Sequence, residues 1–171
     1  MRLVPTAERG QEPARDAGER EMLVAWLDWH RATMLTKCEG LTAAQLGRRS
    51  CPPSDLTLLG LVRHLVEIER NYFAAWAGIT DLPHYYSDAD PDGDFHLPDP
   101  VTDDAVREAF DAWQAECDRS RRIVAEADSL DQVNAKGARL RWVLVYVLRE
   151  YARHNGHADL LREAIDGATG E

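Results

Sequence analysis

Four stretches of this chain repeat apolar residues at three-, four- and seven-residue spacing, and none alternates apolar with polar residues over the length of a strand. That periodicity predicts an all-α chain with four long helices. The first spans residues 19–39, where Leu23, Leu27, Met34 and Cys38 mark one face and Trp26 and Trp29 fill it in. Gly40 is its stop. Residues 41–46 suit a short helical turn, and Pro52-Pro53 forces a loop after it. The second helix begins near Thr57, an N-cap residue, and carries Leu58, Leu61, Leu65, Ile68, Tyr72 and Trp76 on one side. The third starts after Thr102 and ends before Asp128, with Val106, Phe110, Trp113, Cys117 and Ile123 inward. The fourth covers residues 140–165, with Gly156 inside it at a cost of about 1 kcal/mol against alanine. Four such segments pack as a four-helix bundle.

Between the second and third helices, residues 81–100 hold prolines, a glycine and many aspartates. So long a connector in a compact domain suits a crossover or a lid. Residues 1–16 lack periodicity and read as a flexible N-terminal extension, which leaves 17–171 as the one bundle domain.

Charge narrows the function classes. Lys plus Arg number 20 against 30 Asp plus Glu, a net charge of −10. Such a surface repels phosphate backbones and anionic lipids, so neither nucleic acid nor a membrane is expected as a partner. There is no apolar run of membrane-spanning length and no secretory h-region, so a cytoplasmic location is expected. The three cysteines, Cys38, Cys51 and Cys117, are too few and too widely spaced for a disulfide framework or a zinc ribbon. Cys38 and Cys117 fall on apolar faces as packing residues. Aromatic residues on bundle faces would permit a homodimer without requiring one.

The histidines carry the chemistry. On the fourth helix Glu150 and His154 lie one turn apart and about 40° apart on the wheel, and His157 lies about 20° to the other side of Glu150. All three adjoin the apolar arc of Val147, Tyr151, Ala158 and Leu161, so they point inward. A buried carboxylate beside imidazoles is costly unless paired. A divalent cation resolves that cost, with His64 of the second helix as third ligand from a facing helix. A metal-free polar network, with Glu150 accepting from the imidazoles, resolves it too. His30 sits on the inward face of the first helix, as a pocket base or a satisfied core histidine. Arg63, Arg149 and Arg153 flank the ligand positions and suit a carboxylated substrate or surface ion pairs. Tyr85, Tyr86, Asp92 and Asp94 belong to the long loop as lid or pocket wall.

Residues 23–41, 56–73, 85–95 and 150–170 together resemble the DinB-like metalloprotein superfamily, and within it the actinobacterial thiol-dependent branch that includes mycothiol S-transferases. The resemblance covers most of residues 20–171. It implies a divalent metal held by His64, Glu150 and His154. Glu150 stands where many members carry histidine; a glutamate there resembles the mycothiol-dependent maleylpyruvate isomerase branch, which uses a two-histidine, one-carboxylate set. Zinc is the first choice of metal; nickel and iron(II) suit the same donors. An alternative register takes His154 and His157 as ligands with Glu150 as base. The resemblance implies a transferase that joins a mycothiol-like thiol to a small electrophile, with the metal activating the thiolate. A maleylpyruvate-type isomerase that recovers the thiol, and a non-catalytic metal-binding bundle, are the competing expectations.

Overall fold

In a computed structural model of the chain, residues 3–6 and 12–170 are described. They contain α1 (Glu19–Cys38), α2 (Ala43–Leu46), α3 (Leu58–Glu69), α4 (Asp103–Glu126) and α5 (Leu140–Asp166). Among the described residues there is no named strand, and no helix is long and apolar enough to cross a membrane. Local chemistry sets the starts. The Thr57 hydroxyl accepts from Gly60 N–H at 3.0 Å, and the Thr102 hydroxyl from Ala105 N–H at 3.2 Å. Asp103 and Asp104 add negative charge to the first turn of α4. Thr42 and Gln45 form a capping box around α2.

The helix that begins with α3 continues past Glu69 through a π turn, Arg70–Ala74, to Trp76. One extra residue in a turn rotates the rest of the helix by about 100°. Tyr72, expected on the buried face, therefore sits half-buried on the flank and stacks on Tyr146 of α5. Arg70 turns inward instead and donates to Glu116 of α4 at 3.1 Å.

α1 packs along α5, and α3 lies against both α4 and α5. Leu27, Met34, Leu61, Leu65, Phe110, Trp113, Leu144, Val147 and Leu161 fill the interior. Val4 of the N-terminal segment is buried as well, and Leu3 packs beside it. Residues 1–2 and 7–11 of the expected extension lie outside the described residues.

One carboxylate crosses the middle of this core. Glu69 of α3 is fully buried. Arg31 of α1 grips it with Nε at 3.0 Å and Nη2 at 2.7 Å. The Ser120 hydroxyl of α4 donates at 2.5 Å and the Tyr151 hydroxyl of α5 at 2.8 Å. Trp113 Nε1–H donates in turn to Tyr151 at 2.7 Å. Burial drives the Tyr151 phenol pKa far up, so it stays a donor. Four helices thus share one polar node. Removing one partner of a buried ion pair leaves the other uncompensated, at about 3–5 kcal/mol. Arg31→Met is expected to lower stability by that order in urea titration, and Arg31→Met with Glu69→Leu to recover part of the loss. An unchanged midpoint in the single variant would show that the node does not hold the bundle.

Candidate metal centre

The node sits one helical turn and more from a second polar group, at the α3–α5 contact. His64 is on α3, just past its first two turns, and Glu150 and His154 are one turn apart on α5. Their nearest ligand atoms all lie within 4.8 Å of one another. His154 Nε2 is 3.5 Å from Glu150 Oε2. The His64 and His154 rings meet edge to face, with centroids 4.6 Å apart. Glu150 and His154 are buried and His64 is half-buried.

The two imidazoles are held differently. His64 Nδ1–H donates to Asp94 Oδ2 at 2.7 Å, which turns its Nε2 away from the loop. Phe95 stacks on the same ring at a centroid distance of 4.9 Å. A carboxylate in this position fixes the orientation of a ligand histidine. His154 Nδ1 faces His157 Nδ1 at 3.3 Å, which leaves its Nε2 toward Glu150. Desolvation, then the neighbouring His64 and His157 rings and Arg153, push the His154 pKa down to about 3. The ring is therefore neutral, the form that binds a metal. Two imidazoles and a carboxylate that converge in this way are the donors that zinc, nickel or iron(II) takes.

The long loop is bolted to α3 directly above these residues. Arg63 donates Nη1 to the His96 carbonyl at 2.7 Å and Nη2 to the Gly93 carbonyl at 2.8 Å, with Tyr85 beneath its guanidinium at 4.3 Å. The buried Glu67 accepts from Tyr85 N–H at 2.7 Å and pairs with His84 at 2.5 Å. Gly93 fits because a Cβ there would fall 2.4 Å from the Tyr85 carbonyl oxygen. These contacts deliver Asp94, itself buried, to His64.

The remaining sequence candidates are spread around this cluster. His157 is half-buried on the far side of His154 and outside the three-residue group. Arg149 pairs with Glu150 and lies over the Tyr146 ring at 4.4 Å. Arg153 is exposed. Arg63 spends its Nη donors on the loop. Tyr85 donates its hydroxyl to Glu108 at 2.8 Å, and Tyr86 to Asn71 at 3.1 Å. His30 accepts from Asn155 at 3.2 Å and faces a cavity of about 470 Å³ between α1 and α5, whose lining holds none of the three clustered residues. Cys38 and Cys117 are buried, and burial raises the Cys38 thiol to about 12 and the Cys117 thiol further, so both stay protonated. Asp94 is expected from the sequence only as a lid or wall residue, and Phe95 is not singled out, because nothing in an aspartate-rich loop distinguishes the one that reaches back to a helix.

A bundle of four long helices with two imidazoles and a carboxylate converging from facing helices has the build of a bundle metalloprotein. The comparison with known families is specific. Residues 22–167 match the mycothiol S-transferase family, and the chain belongs to it. No curated protein matches the chain.

The geometry sets two expected outcomes. An unfolded histidine titrates near 6.5, so the unfolded chain binds a proton that folded His154 refuses. Metal-free protein therefore keeps this contribution in full above about pH 6.5 and loses it as pH falls from there toward 3. Urea midpoints across that window should fall more steeply in wild type than in His154→Asn; parallel slopes would contradict a neutral buried His154. Asp94→Ala should weaken zinc binding about 10- to 100-fold in competition with a chromogenic chelator. An unchanged affinity would mean that Asp94 does not orient His64.

Proposed function

We propose that the protein is a metal-dependent S-transferase that joins a low-molecular-weight thiol of the mycothiol type to a small electrophile. The observation that carries this reading is the convergence of His64, Glu150 and His154 donor atoms within 4.8 Å in a chain of the mycothiol S-transferase family. These three residues would hold a divalent cation, zinc in first place. Such an ion supplies Lewis acidity that lowers the pKa of a thiol, so that thiolate is present at neutral pH.

The chain's own groups do the rest. Asp94 accepts from His64 Nδ1 and so holds the ring with its Nε2 turned away from the loop. Glu150 brings a negative charge that offsets part of the cation's, and Arg149 shares that carboxylate from the solvent side. The buried α3–α5 contact limits water around the nucleophile, which strengthens local electrostatics. The thiolate sulfur then bonds to an electrophilic carbon as the leaving group departs with its electron pair, or as a conjugated double bond opens. The thiol proton goes to solvent or to the leaving group. Cys38 and Cys117 take no part as nucleophiles, since both are buried and protonated. The thiol is a co-substrate in this scheme and ends in the product, whereas an isomerase would return it.

Elemental mass spectrometry on untagged protein is the test. About one equivalent of zinc, nickel or iron is expected in wild type, with loss in His64→Ala and His154→Ala. Conjugation of mycothiol to alkyl halides or Michael acceptors should fall at least 100-fold in both variants. Absence of metal after reconstitution, or metal retained in both variants, would overturn the proposal.

A further inference from the structure

Eight residues before Glu150, α5 exposes a large aromatic side chain. Trp142 is 55% exposed, among a few large hydrophobic residues left in solvent. It is not isolated. Its ring stacks on Tyr146 at 5.1 Å, Tyr146 stacks on Tyr72 at 4.1 Å, and Arg149 covers Tyr146 at 4.4 Å. Arg149 then pairs with Glu150. An unbroken line of side chains therefore runs from Trp142 to the metal-ligand cluster, over about 12 Å of helix at 1.5 Å per residue. Tyr146 is covered by its neighbours, which leaves Trp142 as the open end of the stack.

A cavity of about 440 Å³ opens beside that end, lined by Trp142, Lys136 and Arg139 with the backbone of Gly137 between. Arg139 pairs with Asp131. Lys136 has no carboxylate partner among the described residues. The corner thus offers one exposed apolar ring face, several N–H donors and a nearby carboxylate. A flat hydrocarbon would use the ring face and leave the ionic groups unmatched. A polyhydroxylated ring uses both, with its C–H face on the indole and its hydroxyls on the cations and the carboxylate.

We propose that the Trp142 corner seats the polyol body of the thiol whose sulfur reaches His64, Glu150 and His154. This rests on the thiol-transferase reading. Mycothiol carries its thiol on two linked polyhydroxylated rings, a body that needs a seat some distance from the sulfur. The Trp142-to-Glu150 span supplies that distance, and the exposed aromatic ring gains a partner that accounts for its exposure. The small electrophile then approaches the cluster from another side. Trp142, Lys136 and Arg139 set which thiol is used and touch no reacting atom.

The probe is the thiol-free body, glucosaminyl-inositol, titrated into the zinc-reconstituted protein by calorimetry and observed by saturation-transfer NMR. Wild type should bind it. Trp142→Ala should weaken binding at least tenfold and Lys136→Ala several-fold, with zinc content and thermal midpoint unchanged. His154→Ala should still bind the probe, because the seat does not use the metal. In turnover assays Trp142→Ala should raise KM for mycothiol and leave KM for the electrophile as it was. No binding to wild type, equal affinity in Trp142→Ala, or a KM change confined to the electrophile would overturn the proposal. So would a wild-type dimer that Trp142→Ala dissociates, since a second copy would then cover the ring. Probe binding by a wild type that takes up no metal on reconstitution would refute the transferase reading and leave the seat standing. Metal and conjugation without probe binding would do the reverse.

Discussion

Glu69 is the group on which the arrangement of the bundle turns. A carboxylate with no solvent exposure is tolerable only when every lone pair is met, and here the donors come from three different helices. Arg31, Ser120 and Tyr151 can satisfy it together in one register only. A slide of α1, α4 or α5 by one turn would break a charge-assisted bond in a low-dielectric interior. The apolar residues drive collapse, but Leu and Val faces tolerate shifts that this node does not.

That register has a consequence at the next polar level. Tyr151, which donates to Glu69, is the immediate neighbour of Glu150 on α5. Fixing Tyr151 toward Glu69 fixes the rotation of α5, and with it the directions of Glu150 and His154. On α3, Glu69 and His64 belong to one continuous helix, so the same node sets the height of His64. The convergence of three ligand atoms is thus a product of bundle registration. The loop completes the arrangement through Arg63, Glu67 and Asp94, which tie residues 84–96 to α3 at points that flank His64.

Local burial sets the electrostatics of the cluster without any large basic field. The protein as a whole is acidic, yet His154 is held neutral by burial and by neighbouring imidazoles and Arg153. The cluster brings together one carboxylate and two imidazoles, with a further carboxylate, Asp94, behind His64. The aromatic line from Glu150 to Trp142 is a separate device on the same helix face. It is shaped by stacking rather than by charge.

The helices were legible because their signals are local. Thr57 and Thr102 cap where the sequence places caps, and the long apolar arcs at 3.6-residue spacing return as buried faces. Wheel geometry placed His64, Glu150, His154 and His157 inward, and the family resemblance implied His64, Glu150 and His154 among them. The π turn at Arg70–Ala74 was not legible, since no residue there announces an extra backbone step; it moved Tyr72 to the flank and into the aromatic stack. Glu69, Arg31 and Asp94 look like ordinary charged residues in sequence. Their roles depend on partners 30 to 82 residues away, as in Asp94 to His64 and Tyr151 to Glu69. The sequence by itself determined helix content and the inward faces, His64, Glu150, His154 and His157 among them, because periodicity and capping act over a few residues. Only the tertiary structure decided how those faces register, which aspartate orients His64 and where an aromatic ring is left open, because each depends on contacts between segments that no local pattern encodes.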